Sequence, residues 1–261
     1  MYLSKFRQIL TAPRRMRLRP LLWIAVASAL AGGALMLAGR GLPPPRFRVD
    51  RAGAGIAPLA YPLWRRLSDA LAQRKYALLT FDDGPYGAGV DEDILDTLRK
   101  HHAHAVFFLV CSHLNEKTNH VLGEIEKAGD LVGNHSYDHP HLDQLNSADL
   151  AHQIEGCSAR IATLGGQRPL YFRPPFGQSS ASVLRDVQLA GMRQVLWNAN
   201  SEDSWLQRPD QIFYWSLRET GNDSILLMHD TPTTAVALDR VLTALESKGF
   251  RFVLLTPEVA H

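Results

Sequence analysis

Two adjacent carboxylates, Asp82 and Asp83, are the residues whose type and position most clearly suggest chemistry. They follow the apolar run 76–79 and precede Gly84 and Pro85, so they fall where a strand is expected to end. Because side chains alternate along an extended backbone, we expect the two carboxylates to point in different directions and to have different roles. One would bind a metal ion and the other would move a proton. A structural acidic turn is the alternative, since Asp-Asp-Gly-Pro is good turn chemistry.

A pair of histidines four residues apart supplies the other half of such a site. One turn of helix at His135 and His139 would place both imidazoles on the same side. With one carboxylate they form a His-His-Asp ligand set that leaves positions open for water and substrate, as a hydrolytic metal requires. The spacing alone is a weak signal, because the chain contains 11 histidines. We interpret His113, His120 and His152 as surface residues.

An alternation of strands and helices must position these residues. Seven short apolar runs predict strands, at residues 76–80, 105–110, 131–134, 170–173, 194–197, 224–228 and 251–255. Amphipathic patterns between them predict helices, at residues 91–101, 118–128, 147–164, 179–190, 208–219 and 234–247. This order predicts an α/β fold with a parallel sheet, either open and doubly wound or closed towards a barrel. The candidate residues follow the carboxyl ends of the strands, where active sites lie in such folds.

Four motifs occur in order along the chain and are specific as a set. They are TFDDGP at 80–85, HSxxH at 135–139, RPPFG at 173–177 and LMH at 227–229. Together they resemble the polysaccharide deacetylase family, carbohydrate esterase family 4, over about residues 74–257. The resemblance implies a distorted (β/α) barrel with about seven strands. It also implies metal-dependent hydrolysis of N-acetyl or O-acetyl groups on a cell-envelope or extracellular glycan.

The resemblance assigns the metal ligands and the base. Asp83, His135 and His139 would bind a divalent metal, with zinc expected and cobalt or nickel as alternatives. Asp82 would be the general base that deprotonates the attacking water.

The resemblance also implies roles for residues of the later motifs. Arg173 would hold Asp82 in place and keep it ionised, because an adjacent guanidinium favours the charged carboxylate. His229 would be the general acid, since an amide nitrogen leaves poorly unless it is protonated and a pKa near about 6.5 suits that transfer. The backbone N–H of Phe176 would donate to the oxyanion.

The chain departs from the family pattern in two motifs. Phe176 stands where the family often has tyrosine, which keeps a backbone donor but removes a hydroxyl group. A further family motif, usually Asp-x-x-Asp-Trp, lies between RPPFG and LMH and reads NSEDSW at residues 200–205. Asp203 is still expected to orient His229. Trp205 either packs in the core or offers its ring for stacking on a sugar.

The amino-terminal end differs from the rest of the chain. Six basic residues and no acid precede Pro20, and residues 21–39 then run for 19 positions without a charge. A helix of that length spans about 28 Å, close to the hydrocarbon thickness of a bilayer. We therefore expect a single-pass signal anchor in the cytoplasmic membrane, with the basic segment 1–20 in the cytoplasm and the catalytic domain outside it, periplasmic or extracellular. Cleavage at a small-residue site, 27–29, is the alternative.

The remaining composition limits the partners. A Pro-rich linker is predicted at residues 40–55 and the deacetylase-like domain at residues 56–261. Ten of the 28 Lys/Arg and one of the 26 Asp/Glu lie in residues 1–52, so the rest carries a formal charge near −7. This domain lacks the basic face that binds nucleic acid, which leaves a glycan and the membrane as partners. Cys111 and Cys157 either form a disulfide in an oxidising compartment or remain buried thiols.

The sequence leaves two other functions open. The same site would suit a deformylase or another amide hydrolase that acts on a lipid-linked sugar. A non-catalytic protein that binds glycans in the envelope is the other hypothesis. The presence of both Asp82 and His229 disfavours it, because a binding protein needs neither a base nor an acid.

Overall fold

A half-barrel of parallel strands forms the centre of this computed structural model, which describes residues 47–49, 53–58, 73–165 and 167–256. The strands are β1 (Phe47–Val49), β2 (Ile56–Pro58), β3 (Lys75–Gly84), β4 (Ala105–Leu109), β5 (Leu131–Asn134), β6 (Tyr171–Phe172), β7 (Arg193–Gln194), β8 (Ala199–Asn200), β9 (Ser224–His229) and β10 (Phe250–Phe252). Eight of them form one parallel sheet: seven follow the order β7-β6-β5-β4-β3-β9-β8, and β10 pairs parallel with the start of β3. The α/β fold with about seven barrel strands is confirmed at this level.

The helices lie within two residues of their predicted bounds, if the two helices and the π turn between them at residues 147–165 are taken together as the one helix predicted at 147–164. They are α1 (Val90–Lys100), α2 (Asn119–Ala128), α3 (Ser147–Ala151), α4 (Cys157–Gly165), α5 (Ala181–Leu189), α6 (Pro209–Glu219) and α7 (Pro232–Ser247). A π turn at His152–Gly156 joins α3 to α4. Polar side chains satisfy free backbone N–H groups at several helix starts: Asn146 accepts at α3, Ser180 at α5 and Thr231 at α7.

Strand β3 is buried on both faces, as expected for a central parallel strand. Leu79 and Phe81 pack into the hydrophobic cluster that contains Phe107, whose ring lies 5.1 Å from that of Phe81. Leu78 faces the other cluster, with Phe108. Because side chains alternate, Asp82 shares the face of Leu78 and enters the interior of the half-barrel.

The folded part begins before residue 56. Strand β1 lies inside the predicted linker, residues 40–55, yet Phe47 is buried and β1 pairs antiparallel with β2. The hairpin also contacts the segment between β7 and β8, where Leu196 N–H donates to the Gly53 carbonyl at 2.5 Å. Part of the predicted linker thus packs on the domain, because an apolar side chain at residue 47 is buried.

The predicted anchor at residues 21–39 and the basic segment 1–20 lie outside the described residues and stay predictions. Within the described ranges, no helix combines the length and the apolar character that crossing a bilayer requires.

A disulfide joins Cys111 and Cys157, with Cα atoms 5.4 Å apart. It links the turn that follows β4 to the start of α4, and both residues are fully buried. Of the two alternatives for these cysteines, the structure shows the bonded pair.

Candidate metal centre and active site

A β-bulge at Asp83 brings both adjacent carboxylates to one place. The pairing of β3 with β4 shifts register between Asp82 and Gly84, and Asp83 adopts a left-handed backbone with φ 69°. Asp82 Oδ2 then lies 3.6 Å and Asp83 Oδ1 3.4 Å from Nε2 of His135. The expectation that the two side chains point apart is therefore wrong, because a bulge cancels the two-residue alternation.

Asp83, His135 and His139 form the group that can hold a metal ion. Their ligand atoms lie within 4.8 Å of one another, and Oδ1 of Asp83 is 3.3 Å from Nε2 of His139. Ligands about 2.1 Å from a tetrahedral ion are separated from each other by about 3.4 Å, which matches these distances. Oδ1 of Asp83 is buried and accepts no hydrogen bond from the described residues. The residues therefore fit a divalent cation.

The two histidines sit in an irregular loop after β5, so the predicted helical turn is wrong. Ser136 and His139 have positive φ angles of 72° and 61°, which no α-helix contains. The loop folds on itself because Ser136 N–H donates to the side chain of Asn134 and His139 N–H donates to Ser136 Oγ. Gln153 Oε1 accepts two more backbone N–H groups of the loop. Both imidazoles still reach the same carboxylate.

Hydrogen bonding fixes the orientation of the first imidazole. Nδ1 of His135 lies 2.7 Å from the Arg173 carbonyl oxygen, and a carbonyl only accepts, so Nδ1 carries the proton. Nε2 of His135 then presents its lone pair towards Asp83, as a metal ligand must.

Charge and burial favour the ligand forms of these groups. Burial alone would raise the pKa of Asp83, but the nearby imidazoles of His135, His229 and His139 lower it to about 2. Burial lowers the pKa of His139, and the neighbouring His135 lowers it further. At neutral pH Asp83 is therefore charged and His139 is neutral.

Arg173 holds Asp82 from inside the half-barrel. Its Nη1 donates to Asp82 Oδ1 at 2.7 Å and to Thr80 Oγ1 at 2.8 Å. Its Nε and Nη2 donate to the carbonyl oxygens of Val195 and Leu196. Asp82 and Arg173 are 2% and 0% exposed, so neither charge is compensated by water. One oxygen of Asp82 is thus fixed by Arg173, and Oδ2 faces His135.

Asp203 orients His229 despite the altered NSEDSW motif at residues 200–205. Its Oδ1 lies 2.7 Å from Nδ1 of His229, and its Oδ2 accepts from the His229 backbone N–H and from Thr234 Oγ1. Burial alone would lower the pKa of His229, but the bond to Asp203 and its charge raise it to about 9. His229 is therefore protonated at neutral pH and can donate a proton from Nε2.

The two remaining predicted residues lie at the rim. Phe176 is 53% exposed, has φ 58° and places its ring 4.6 Å from that of His139. Trp205 is 64% exposed and donates from Nε1 to Glu202, so the core-packing alternative for Trp205 is wrong. A cleft of about 500 Å³ opens between Asp83 and His229 and is lined in part by Tyr86.

The sequence pattern of the polysaccharide deacetylase family matches residues 70–195. A solved structure of a family 4 carbohydrate esterase from Streptomyces lividans, in complex with acetate, is 33% identical with a TM-score of 0.65, covering 71% of this chain and 95% of that one. The chain belongs to this family.

Other members of the carbohydrate esterase 4 family differ in length and in activity. The peptidoglycan-N-acetylglucosamine deacetylase PgdA of Listeria monocytogenes is 35% identical over 183 residues, which are 69% of this chain and 38% of that protein. The chain thus spans less than half the length of this curated relative. A family 4 pseudoenzyme from Bacillus anthracis is 29% identical with a TM-score of 0.65, covering 69% of this chain and 64% of that one. Membership alone therefore does not decide whether a member is catalytic.

Several residues that support this family site were missed from the sequence. Thr80 binds Arg173, and Thr234 binds Asp203. Gln153 binds the histidine loop, and His113 binds the Asp83 carbonyl. Strand alternation in β3 could have indicated Thr80, which lies on the same face as Asp82. The helix start after His229 could have indicated Thr234. Gln153 and His113 carry no such signal.

Proposed function

We propose that this chain is a metal-dependent deacetylase that removes N-acetyl or O-acetyl groups from a glycan of the cell envelope or its surroundings. The observation that carries the proposal is one constellation: three converging ligand atoms beside a carboxylate held by Arg173 and a histidine held by Asp203. The Listeria and Streptomyces relatives, a peptidoglycan deacetylase and a carbohydrate esterase, support the same class of reaction.

Asp83, His135 and His139 would hold the divalent metal, with zinc expected and cobalt or nickel as alternatives. The ion would supply Lewis-acid polarisation of the acetyl carbonyl group.

Asp82 acts as the general base in this proposal. Its Oδ1 accepts a hydrogen bond from Arg173, and its Oδ2 faces the space between His135 and Asp83. A water molecule there attacks the carbonyl carbon and transfers a proton to Oδ2.

His229 acts as the general acid on the opposite side. Asp203 keeps it protonated and aims its Nε2 into the cleft. As the bond between the carbonyl carbon and the nitrogen breaks, His229 gives its proton to the nitrogen, so acetate and a free amine leave. An ester substrate would release an alcohol in the same way. The backbone N–H of Phe176 stabilises the oxyanion, and the exposed ring of Trp205 stacks on a sugar.

Acetate release from a defined glycan tests the proposal. The full chain would be given acetylated chitooligosaccharides, peptidoglycan fragments and acetylated xylan, each with zinc, cobalt or nickel. We expect acetate from at least one substrate, loss of metal and activity in His135→Ala, and loss of activity with metal retained in Asp82→Asn. Full activity of Asp82→Asn would remove Asp82 from the role of base.

The pseudoenzyme relative makes a non-catalytic binding protein the second candidate. Glycan binding and metal binding without acetate release from any substrate would favour it. Formate release from a formylated, lipid-linked sugar, in place of acetate from soluble glycans, would instead identify the deformylase.

We also propose that the domain works outside the cytoplasm, tethered by the predicted anchor at residues 21–39. The disulfide between Cys111 and Cys157 supports an oxidising compartment, since such bonds are rare in the cytosol. Protease added to intact cells would cut an extracellular domain, and protease added after an outer membrane is permeabilised would cut a periplasmic one. A domain that resists protease until the cytoplasmic membrane is lysed would contradict this location.

A further inference from the structure

The carbonyl group of Asp83 lies outside the hydrogen-bond ladder between β3 and β4. The register shift between Asp82 and Gly84 makes Asp83 the extra residue of the bulge, and such a residue is left unpaired by the ladder. The next carbonyl, that of Gly84, accepts from Val110 N–H at 2.8 Å. The Asp83 carbonyl accepts instead from a side chain, Nδ1 of His113, at 2.8 Å.

His113 is itself held by its backbone. Its carbonyl oxygen accepts from Thr118 Oγ1 at 2.6 Å and from Asn115 Nδ2 at 2.9 Å. Its N–H donates to the Val110 carbonyl at 3.0 Å. The side chain is exposed, so the bond to Asp83 orients the ring where packing does not. Since a carbonyl only accepts, Nδ1 of His113 carries the proton.

This bond supports a backbone conformation that Asp83 would otherwise adopt only at a cost. A non-glycine residue with φ 69° persists when the surrounding structure holds it, and one hydrogen bond is comparable in size to that cost. The same conformation turns the Asp83 carboxylate towards His135 and His139. Loss of the bond would let the peptide rotate and would move Oδ1 away from the two imidazoles.

We propose that His113 is a positioning residue of the metal centre, acting through the backbone of Asp83. It contacts neither the metal position nor the reacting atoms. The inference rests on the metal centre of the proposed function but does not depend on the substrate.

Zinc titration calorimetry of the full chain, purified in detergent and stripped with a chelator, tests this inference. His113→Leu removes the donor, whereas His113→Asn keeps an N–H donor at the position of Nδ1. His120→Leu is the matched control, because His120 is an exposed histidine paired with Glu92 away from the cleft. We expect zinc affinity to fall about 10- to 100-fold in His113→Leu, and to stay within about threefold of wild type in His113→Asn and His120→Leu.

Equal zinc affinity of His113→Leu and wild type would overturn the inference. So would equal weakening in the Leu and Asn variants, because the effect would then not depend on the donor. Absence of zinc binding by the wild type would also overturn it. If His113→Leu does not fold, His113→Gln replaces it: its donor is displaced by one bond, so its affinity should fall below that of His113→Asn, and equality would count against the inference. Zinc binding without acetate release would contradict the deacetylase proposal and leave this one standing.

Discussion

The two halves of the candidate site differ in how far the chain alone satisfies them. Around Asp203, both carboxylate oxygens accept hydrogen bonds, from His229 and from Thr234. Around Asp83, a buried oxygen accepts none from the described residues, although two imidazoles lie 3.3 and 3.4 Å away. The half that transfers a proton is complete once the chain folds. The half that binds a metal leaves room for a ligand from outside.

The largest effect is expected from Asp83→Asn, which removes the negative charge of the proposed metal ligand and should abolish metal binding by that half of the site. Several kcal/mol of transition-state stabilisation depend on a catalytic metal, so we expect activity to fall at least about 10³-fold. Zinc should raise the melting temperature of the wild type but not that of the variant. Thermal unfolding with zinc and with chelator measures this.

Asp143→Asn is the control for that experiment, because Asp143 is an exposed carboxylate outside the site. Equal zinc stabilisation of Asp83→Asn and Asp143→Asn would show that the unsatisfied oxygen is no ligand.

Arg173→Met should produce the next largest effect, on stability as well as on activity. The substitution leaves the Asp82 carboxylate buried without its counter-charge, which typically costs about 3–5 kcal/mol. Urea unfolding at neutral pH measures the loss, with the exposed Arg185→Met as control. Adding Asp82→Asn to Arg173→Met should restore part of the stability, because the buried charge is then gone. No recovery would mean that packing of the guanidinium, rather than the ion pair, holds this region.

Asp203→Asn should change the pH dependence of activity. Asp203 raises the pKa of His229 to about 9, and without its charge that pKa should fall. The alkaline limb of kcat/KM should therefore move to lower pH, with a loss of about 10² in rate at pH 8. Bound zinc nearby also lowers this pKa, so the limb of the wild type is expected below pH 9. An unchanged limb would exclude His229 as the acid.

The same pair predicts a pH dependence of stability. Because the folded-state pKa of His229 lies above its unfolded value, the pair stabilises fully below about pH 6.5. That contribution is lost as the pH rises through about 9. Unfolding of wild type and Asp203→Asn at pH 6 and pH 10 should show a larger difference at the lower pH.

The smallest effect is expected from Gln153→Ala on the metal-binding half. Gln153 accepts the N–H groups of Tyr137 and Asp138 and so shapes the loop that carries His139. Residues that orient metal ligands typically change metal affinity by about tenfold or more. Zinc titration measures the change, and the exposed Gln188→Ala is the control. Equal affinities would show that the loop is held by its remaining bonds.

The fold and most of the constellation could be predicted because they depend on periodic patterns. Buried strands such as β3 and amphipathic helices such as α7 repeat their apolar residues at fixed intervals, and the site residues follow strand ends. The contact between Asp203 and His229 was also predicted despite the altered spacing of its motif.

The errors concern residues with unusual backbone conformations. Asp83, Ser136 and His139 have positive φ angles although none of them is glycine, the residue type that usually indicates such a conformation. A two-residue alternation and a helical spacing were therefore assumed where neither exists. His113 is exposed, as interpreted from the sequence, but its contact with the Asp83 carbonyl could not be predicted because only the folded bulge exposes that carbonyl.

The disulfide between Cys111 and Cys157 closes a covalent ring in the chain. The ring contains helix α2, strand β5 and the loop with His135 and His139. The cross-link joins residues 46 positions apart and so lowers the conformational entropy of the unfolded chain. This loss raises the free energy of unfolding by about 4 kcal/mol. A single protease cut inside the ring would leave both pieces attached to each other. The segment that carries both histidine ligands is thereby protected against loss by nicking for as long as the cystine stays oxidised.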